Sequence, residues 1–229
     1  MKIGLISDVH GNSPALQAVL AALRHVELIL FMGDFVGYYP FVNECSTCWD
    51  TDRITGVLGN HDQVLLNCLH QGEMPGSSYC DRYGSALARS LKDLSPEART
   101  LIESWPQHRT LELGGLSVAM FHGAPWDPLE GRVYPDFADW ARFEQCREEV
   151  ILLGHTHYPM VQRWQGKTII NPGSVGQPRR SSGAAEFAVL DTSAVDVEFH
   201  RAQYDAGEVI ADARRHDPRI AYLAEVLTR

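Results

Sequence analysis

The sequence predicts an α/β protein in which a parallel βαβαβ unit is followed by antiparallel hairpins, and three observations predict it. Short apolar runs rich in Ile, Val, Leu and Phe recur at residues 2–7, 27–32, 54–58, 116–121 and 150–153; they are too short for most helices and read as buried strands. The stretches that join the first three runs have helical character. Three later stretches fold an apolar pattern back on itself across a turn, which is the signature of hairpins.

Between the first two runs, "NSPALQAVLAAL" offers Ser13 as a cap and Pro14 in the first helical turn, with Leu16, Val19, Leu20 and Leu23 on one apolar face. This is a crossover helix, which a parallel strand pair requires. A second helix over residues 41–50 joins the second run to the third. Residues 63–104 are strand-poor, with helical periodicity in "YGSALARSLKDL" and in "SPEARTLIESW", where Ser95 caps and Pro96 starts a helix. They form a helical insertion. "TLELGGLSVAMF" and "MVQRWQGKTIIN" turn at Gly114-Gly115 and Gln165-Gly166, and "EFAVLDTSAVDVEFHRA" is a third hairpin. Residues 205–227 read as helical packing. No repeat, low-complexity tract or linker forces a boundary, so one domain over residues 1–229 is expected.

A chain of 229 residues, 45% of them hydrophobic, can bury an ordinary core. Its formal net charge of -9 repels long polyanions, so long nucleic acid is not an expected partner. The N-terminus turns polar at Ser7 and Asp8, too soon for a signal peptide, and no apolar run is long enough to span a bilayer. A cytoplasmic protein without a membrane partner is expected. Five cysteines, an odd number, are expected as reduced thiols. Cys45 and Cys48 form a C-x-x-C, but no second pair follows at zinc spacing.

The strand ends carry the chemistry. The five runs stop at "SDVHGN", "GDFVG", "GNHD", "FHG" and "GHTH", and ligand sites of open α/β sheets lie outside the carboxyl ends of strands. One Asp or His after a strand is ordinarily a turn residue or a cap; five together point to one crevice. Asp8 and His10 are two apart, as are His155 and His157, and in extended backbone that spacing sends both side chains to one side. Carboxylate and imidazole without thiolate suit Mn, Fe, Zn, Ni or Co. So many ligands suit two divalent ions that clamp a phosphoryl group for attack by a bridging hydroxide. Asn60 offers a neutral oxygen ligand, and the adjacent His61 can face the substrate and protonate a leaving group.

The ordered set "DVH", "GDFVG", "GNHD", "HG" and "GHTH" resembles the calcineurin-like metallophosphoesterase superfamily over residues 1 to about 200. "GDFVGYYPFVNEC" and "NPGSVGQPR" further resemble its compact bacterial and archaeal phosphodiesterase-like branch. The resemblance implies two mixed β-sheets packed as a sandwich flanked by helices, an α/β/β/α arrangement. It implies that Asp8, His10 and His157 bind a first metal, that Asp34 bridges, and that Asn60, His122 and His155 bind a second. His61 is then the catalytic histidine that is not a ligand. Two divalent ions are implied, with Mn²⁺ favoured and Fe, Zn, Ni or Co as alternatives.

This chain departs from the protein phosphatase branch at Gly37 and Tyr38, where that branch has an aspartate and an arginine. What orients His61 is therefore open, with Asp62 as a candidate. Tyr39 stands where the favoured branch more often has glycine, so a bulky ring is expected to narrow the mouth of the site. The implied activity is hydrolysis of a small phosphate ester, diester before monoester. The alternatives are a phosphomonoesterase, a nuclease with the same centre, and a non-enzymatic scaffold such as the retromer subunit of this fold, which lacks the catalytic histidine.

Asn12 and Arg179 are candidate substrate contacts, Asn12 with helix capping as an equal alternative and Arg179 because guanidinium matches phosphate oxygens. Asn171, Ser174 and Arg180 lie with Arg179 in "NPGSVGQPRR" and share the same choice between anion contact and glycine-rich turn. Trp126, Tyr134 and Phe137 stack a base or pack a lid, packing being favoured. His25, His70, His108, His200 and His216 fit no motif and are expected on the surface or in packing.

Overall fold

The computed structural model describes residues 1–180 and 183–228. Two mixed five-stranded sheets are flanked by helices, as the resemblance implied. In the first sheet, β1 (Lys2–Ile6), β2 (Leu28–Phe31) and β3 (Ile54–Gly56) run parallel. The last hairpin, β9 (Ala184–Asp191) with β10 (Asp196–Gln203), joins antiparallel on the other side of β1. The second sheet takes β4 (His108–Leu113), β5 (Leu116–Phe121), β6 (Val150–Leu152), β7 (Met160–Trp164) and β8 (Lys167–Asn171), in the order β4-β5-β6-β8-β7. Its hairpins pair antiparallel and its centre is parallel.

Alternation along β1 explains the layering. Ile3 and Leu5 face the second sheet and meet Val118, Met120, Val150, Leu152 and Ile170 in one buried cluster. Ile6 faces the other way, into a second cluster with Leu16, Val19 and Leu23, which come from helix α1 (Ser13–Ala22) and the turn after it. Both faces of the parallel strands β1 to β3 are thus buried, and they read as continuous apolar runs, whereas the edge strand β10 is largely exposed. Each fully buried Leu, Ile or Val side chain contributes ~1.5–3 kcal/mol relative to exposure, so the layers on both faces of the first sheet stabilise the fold.

The expected helix over residues 41–50 is shorter, α2 (Val42–Thr47). It carries the buried Cys45, while Cys48 caps it and donates its thiol to the Cys45 carbonyl at 3.2 Å. Burial pushes the Cys45 thiol up, and both cysteines are free. The helical segment that follows comprises α3 (Asn60–Gln71), α4 (Ser77–Tyr83), α5 (Ala86–Asp93) and α6 (Pro96–Glu103). Ser95 caps α6, accepting from the Ala98 N–H at 3.1 Å.

The C-terminal helices α7 (Gly207–His216) and α8 (Tyr222–Glu225) are tied to that segment. Arg89 on α5 makes a two-pronged contact to Asp212 at 2.8 and 2.6 Å. Asp217 accepts from the Ser85 N–H and hydroxyl at 2.8 and 2.9 Å. Together these helices wall the carboxyl ends of β1 to β3. The outer face of the second sheet is covered by the long β5–β6 connection, whose 3₁₀ turn Trp140–Gln145 supplies Phe143. Trp126 and Phe137 stack there 5.8 Å apart, so both pack this layer. No helix among the described residues is long and apolar enough to cross a membrane.

Candidate metal centre

The loops after the strands are hydrogen-bonded to one another before any side chain is considered. The Asp8 N–H donates to Gly33 O and the His10 N–H to Asp34 O, each at 2.9 Å. The loop after β8 closes on the same segment, Val175 and Gly176 donating to Ser7 O and Asp8 O at 2.9 Å. Asp8, His10, Asp34, His155 and His157 all have positive φ, between 51° and 64°. The expectation that each i, i+2 pair converges through extended backbone is therefore corrected. Left-handed turns do the work, a conformation that Asp and His enter more readily than bulkier residues at ~1–2 kcal/mol each.

"GNHD" has its explanation here. β3 ends at Gly56 and α3 begins at Asn60, with Gly59 as its N-cap, so three polar residues occupy the positive end of a helix. The His61 N–H donates to Asp34 Oδ1 at 2.9 Å. A Cβ on Gly59 would lie 2.1 Å from that same oxygen, so the close approach requires glycine. Asp62 turns away from the imidazole of His61: its carboxylate accepts from Gly59, Asp34, Phe35 and Val36 N–H groups at 2.9 to 3.0 Å. It fixes the two loops to each other, and burial with the charge of Asp34 raises its carboxyl to about 6 against those donors.

The side chains form two adjoining sets. In the first, His157 Nε2 lies 3.2 Å from Asp8 Oδ1, and His10 Nε2 lies 3.7 Å from Asp8 Oδ1 and from Asp34 Oδ2. In the second, His122 Nε2 lies 3.2 Å from Asp34 Oδ2, 3.0 Å from Asn60 Oδ1 and 3.1 Å from His155 Nδ1. Asp34 belongs to both. Each of Asp8/His10/His157 and Asp34/His122/His155 brings its ligand atoms within 4.8 Å of one another.

Tautomers decide whether these atoms fit a metal. His10, His122 and His157 direct Nδ1 at the carbonyls of Val36, Met32 and Gln177, at 3.0, 2.7 and 2.7 Å. Those nitrogens carry the hydrogens, and in the neutral rings each Nε2 presents a lone pair inward. His10 and His157 thus aim two lone pairs at each other across 3.1 Å. Beside them Asp8 Oδ1 is buried without a hydrogen-bond partner. Such an array is unfavourable alone and complementary to a cation. The demand for positive charge is visible at His122: burial lowers its basicity, but Asp34 raises it to about 9. Burial also raises the Asp34 and Asp8 carboxyls, and the facing histidines overcome this and hold both below the usual range.

His155 is different. It is partly exposed, and its Nε2 accepts from Arg132 Nε at 3.1 Å. The neutral ring then carries its hydrogen on Nδ1 and donates to Asn60 Oδ1 at 3.0 Å. Coordination through Nδ1 requires that hydrogen to move and Arg132 to give up its acceptor.

His61 stands beside Asp34, with Nε2 4.0 Å from Oδ2. Its Nδ1 is in hydrogen-bond contact with the Tyr79 hydroxyl. Tyr83 meets the ring edge-on at 4.7 Å and Tyr38 lies 5.3 Å away. Gly37, at φ 144°, would place a Cβ 2.5 Å from His10 Nδ1 and 3.2 Å from His61 Nδ1, so a side chain at this position would collide with the His10 ring and crowd that of His61. Burial lowers the His61 imidazole to about 3, with Asp34 opposing.

A cavity of about 270 Å³ opens over Asp34, Asn60, His61, His155 and His157. Arg82, Arg132 and Arg179 line it, with Tyr38, Tyr83, Tyr134 and Tyr222. Arg179, a sequence candidate, is therefore at the cavity. Asn12 is not: it is buried as the N-cap of α1, accepting from Ala15 N–H at 3.3 Å and donating to Gly176 O and Tyr204 Oη at 2.9 and 3.0 Å. The expected phosphate contact is corrected to a cap.

Tyr39 is corrected as well. It is fully buried, donating to Leu223 O at 3.0 Å under the C-terminal helices, and Tyr38 reaches the mouth instead. Asn171 and Ser174 brace backbone, donating to Gly154 O at 2.6 Å and Asp8 O at 2.8 Å. Arg180 donates to Pro159 O at 3.3 Å on the surface. Tyr79, Arg82, Arg132 and Tyr222 escaped the sequence reading. The spacing of Tyr79, Arg82 and Tyr83 on one face of a helix was the available signal.

A family model, the calcineurin-like phosphoesterase superfamily domain, matches residues 1–194. An uncharacterized protein of Methanocaldococcus jannaschii is 30% identical over 222 residues, covering 89% of this chain and 88% of that protein. A probable metallophosphoesterase of Methanothermobacter thermautotrophicus is 26% identical over 208 residues, 88% of this chain and 92% of that one. Among solved structures, a metallophosphoesterase from Sphaerobacter thermophilus aligns with a TM-score of 0.80 at 28% identity, covering 100% of this chain and 99% of that one.

Proposed function

Because the chain belongs to the calcineurin-like phosphoesterase superfamily, we propose that it hydrolyses a small phosphodiester at two divalent ions, Mn²⁺ favoured, with His61 as general acid. Asp8, His10 and His157 would hold one ion, Asn60, His122 and His155 the other, and Asp34 both. The observation that carries this reading is the convergence of acceptor atoms with no proton to share: two opposed Nε2 lone pairs and the unpartnered Asp8 Oδ1. Bound ions would supply charge for the phosphoryl oxygens and lower the pKa of the attacking water.

The remaining work falls to the protein. In the imidazolium form that acts as the acid, Nδ1–H of His61 donates to the Tyr79 hydroxyl oxygen and the second ring proton sits on Nε2, the nitrogen that faces Asp34 and the cavity. From there it passes to the departing oxygen. Tyr38 and Tyr83 confine the ring and exclude water from it. Diesters are favoured over monoesters because the cavity extends past the centre between Tyr38, Tyr83, Tyr134 and Tyr222, with room for a second ester group.

The experiment is hydrolysis of bis-p-nitrophenyl phosphate against p-nitrophenyl phosphate, by chelator-stripped protein with Mn²⁺ restored and metal content measured. Turnover that depends on Mn²⁺ and favours the diester is expected. No turnover of either ester by protein holding two ions would reject the reading.

A further inference from the structure

The cavity is more cationic than a diester needs. Two divalent ions held by Asp8 and Asp34, with the attacking hydroxide, would already balance the single negative charge of a phosphodiester. Yet three guanidinium groups, Arg82, Arg132 and Arg179, line the same space, and Asp34 is the one acid among the lining residues. None of the three makes an ion pair with a carboxylate among the described residues, in a chain whose net charge is -9.

Each guanidinium has an incomplete set of partners. Among the described residues the buried Arg179 Nε has no hydrogen-bond acceptor, and its Nη2 reaches the Tyr38 hydroxyl at 3.5 Å. Arg82 lies over the Tyr83 ring at 5.0 Å. Arg132 has His155 Nε2, the acceptor it gives up if His155 coordinates through Nδ1. Arg82 and Arg132 are exposed at the mouth, whereas Arg179 is partly buried; a partly buried guanidinium without an acceptor is costly to keep unless a ligand supplies one, and planar anionic oxygens fit that fork best.

We infer that the substrate carries a further phosphate besides the one at the metals, and that Arg82, Arg132 and Arg179 hold it. The substrate class is a small polyphosphorylated ester. The inference rests on the phosphoesterase reading for the bond that is cleaved, but the anion site stands on its own geometry.

Two measurements test them separately. The first compares, on the Mn²⁺-loaded protein, the p-nitrophenyl ester of thymidine 5′-phosphate with the same ester bearing a 3′-phosphate, so that scissile bond and leaving group are identical. The second titrates inorganic tripolyphosphate and inorganic phosphate into the metal-free full chain by calorimetry. The 3′-phosphorylated ester is expected to show at least about a tenfold higher kcat/KM, the scale of one charge-assisted contact. Arg82→Met, Arg132→Met and Arg179→Met are each expected to erode that preference and to weaken tripolyphosphate, with Arg179→Lys as the variant that keeps the charge at the partly buried position. Equal kcat/KM for the two esters, together with tripolyphosphate bound no more tightly than phosphate, would overturn the inference and leave the esterase reading intact. Hydrolysis of neither ester, with arginine-dependent tripolyphosphate binding retained, would sink the esterase reading and uphold the anion site.

Discussion

Tyr79→Phe deletes one oxygen atom and leaves the rest of the His61 cage in place. The ring would still lie against Tyr83 and Tyr38, so its position is expected to hold while Nδ1–H of the imidazolium loses its acceptor. A net hydrogen bond of this kind is worth ~0.5–1.5 kcal/mol, which converts to a fall in kcat of about 2- to 13-fold at ~1.36 kcal/mol per decade. The loss should depend on the leaving group. A p-nitrophenolate departs with little help from an acid, whereas the alkoxide of a nucleoside 3′,5′-cyclic phosphate needs its proton. Steady-state kinetics of the variant on both diesters, at equal metal content, is the assay. A larger loss on the cyclic phosphate is expected, carried by kcat and not by KM. Equal losses on the two substrates, or a rate within twofold of the parent on both, would refute the assignment of Tyr79 as the residue that positions His61.

Three further outcomes are expected. His61→Ala should retain both ions by metal analysis and lose about 10²- to 10⁴-fold in turnover, the range of general acid catalysis; an unchanged rate would remove His61 from the reaction. Asp34→Asn should lower occupancy of both ions, because Asp34 Oδ2 is shared between His10 and His122 at 3.7 and 3.2 Å, and two tightly held ions in the variant would contradict the bridge. Asp62→Asn should cost ~1–3 kcal/mol, since an amide nitrogen would face two N–H donors where a carboxylate oxygen now accepts. Urea denaturation with an unchanged slope would register that loss as a lower midpoint.

The parallel strands of the first sheet were legible because both of their faces are buried and their runs are short and apolar. Two of the three hairpins were legible from turns with a glycine, Gly114-Gly115 and Gln165-Gly166, at which φ is positive, and the third from its apolar pattern folded back across residues 192–195. The acidic, amide and imidazole residues of the two clusters were legible because each lies within a few residues of a strand's end, so local spacing places it. Other features depend on contacts between distant segments. Tyr39 points away from the mouth because residues near 223, far along the chain, cover it. Asn12 was ambiguous between two local roles, and only its contacts to Gly176 and Tyr204 decide for the cap. Tyr79 reaches His61 from a segment with no motif. The left-handed turns at Asp8 and His10 were hidden because that conformation and an extended one both bring alternate residues together.

Those turns bear on how such a site persists through generations. Five residues with side chains hold a backbone conformation in which glycine would be relaxed, each at ~1–2 kcal/mol. Folding alone rewards that arrangement only in part, through the N–H groups of His61 and His155 that donate to Asp34 and Asp8. Heat selection of random variants in the presence of chelator would therefore favour Gly or Asn at positions such as Asp8 and Asp34, and the survivors would be sturdier and inert. The same selection with metal supplied would keep the carboxylates, since bound ions then reward them. A lineage that retains Asp and His in all five turns is one in which the site has stayed under use.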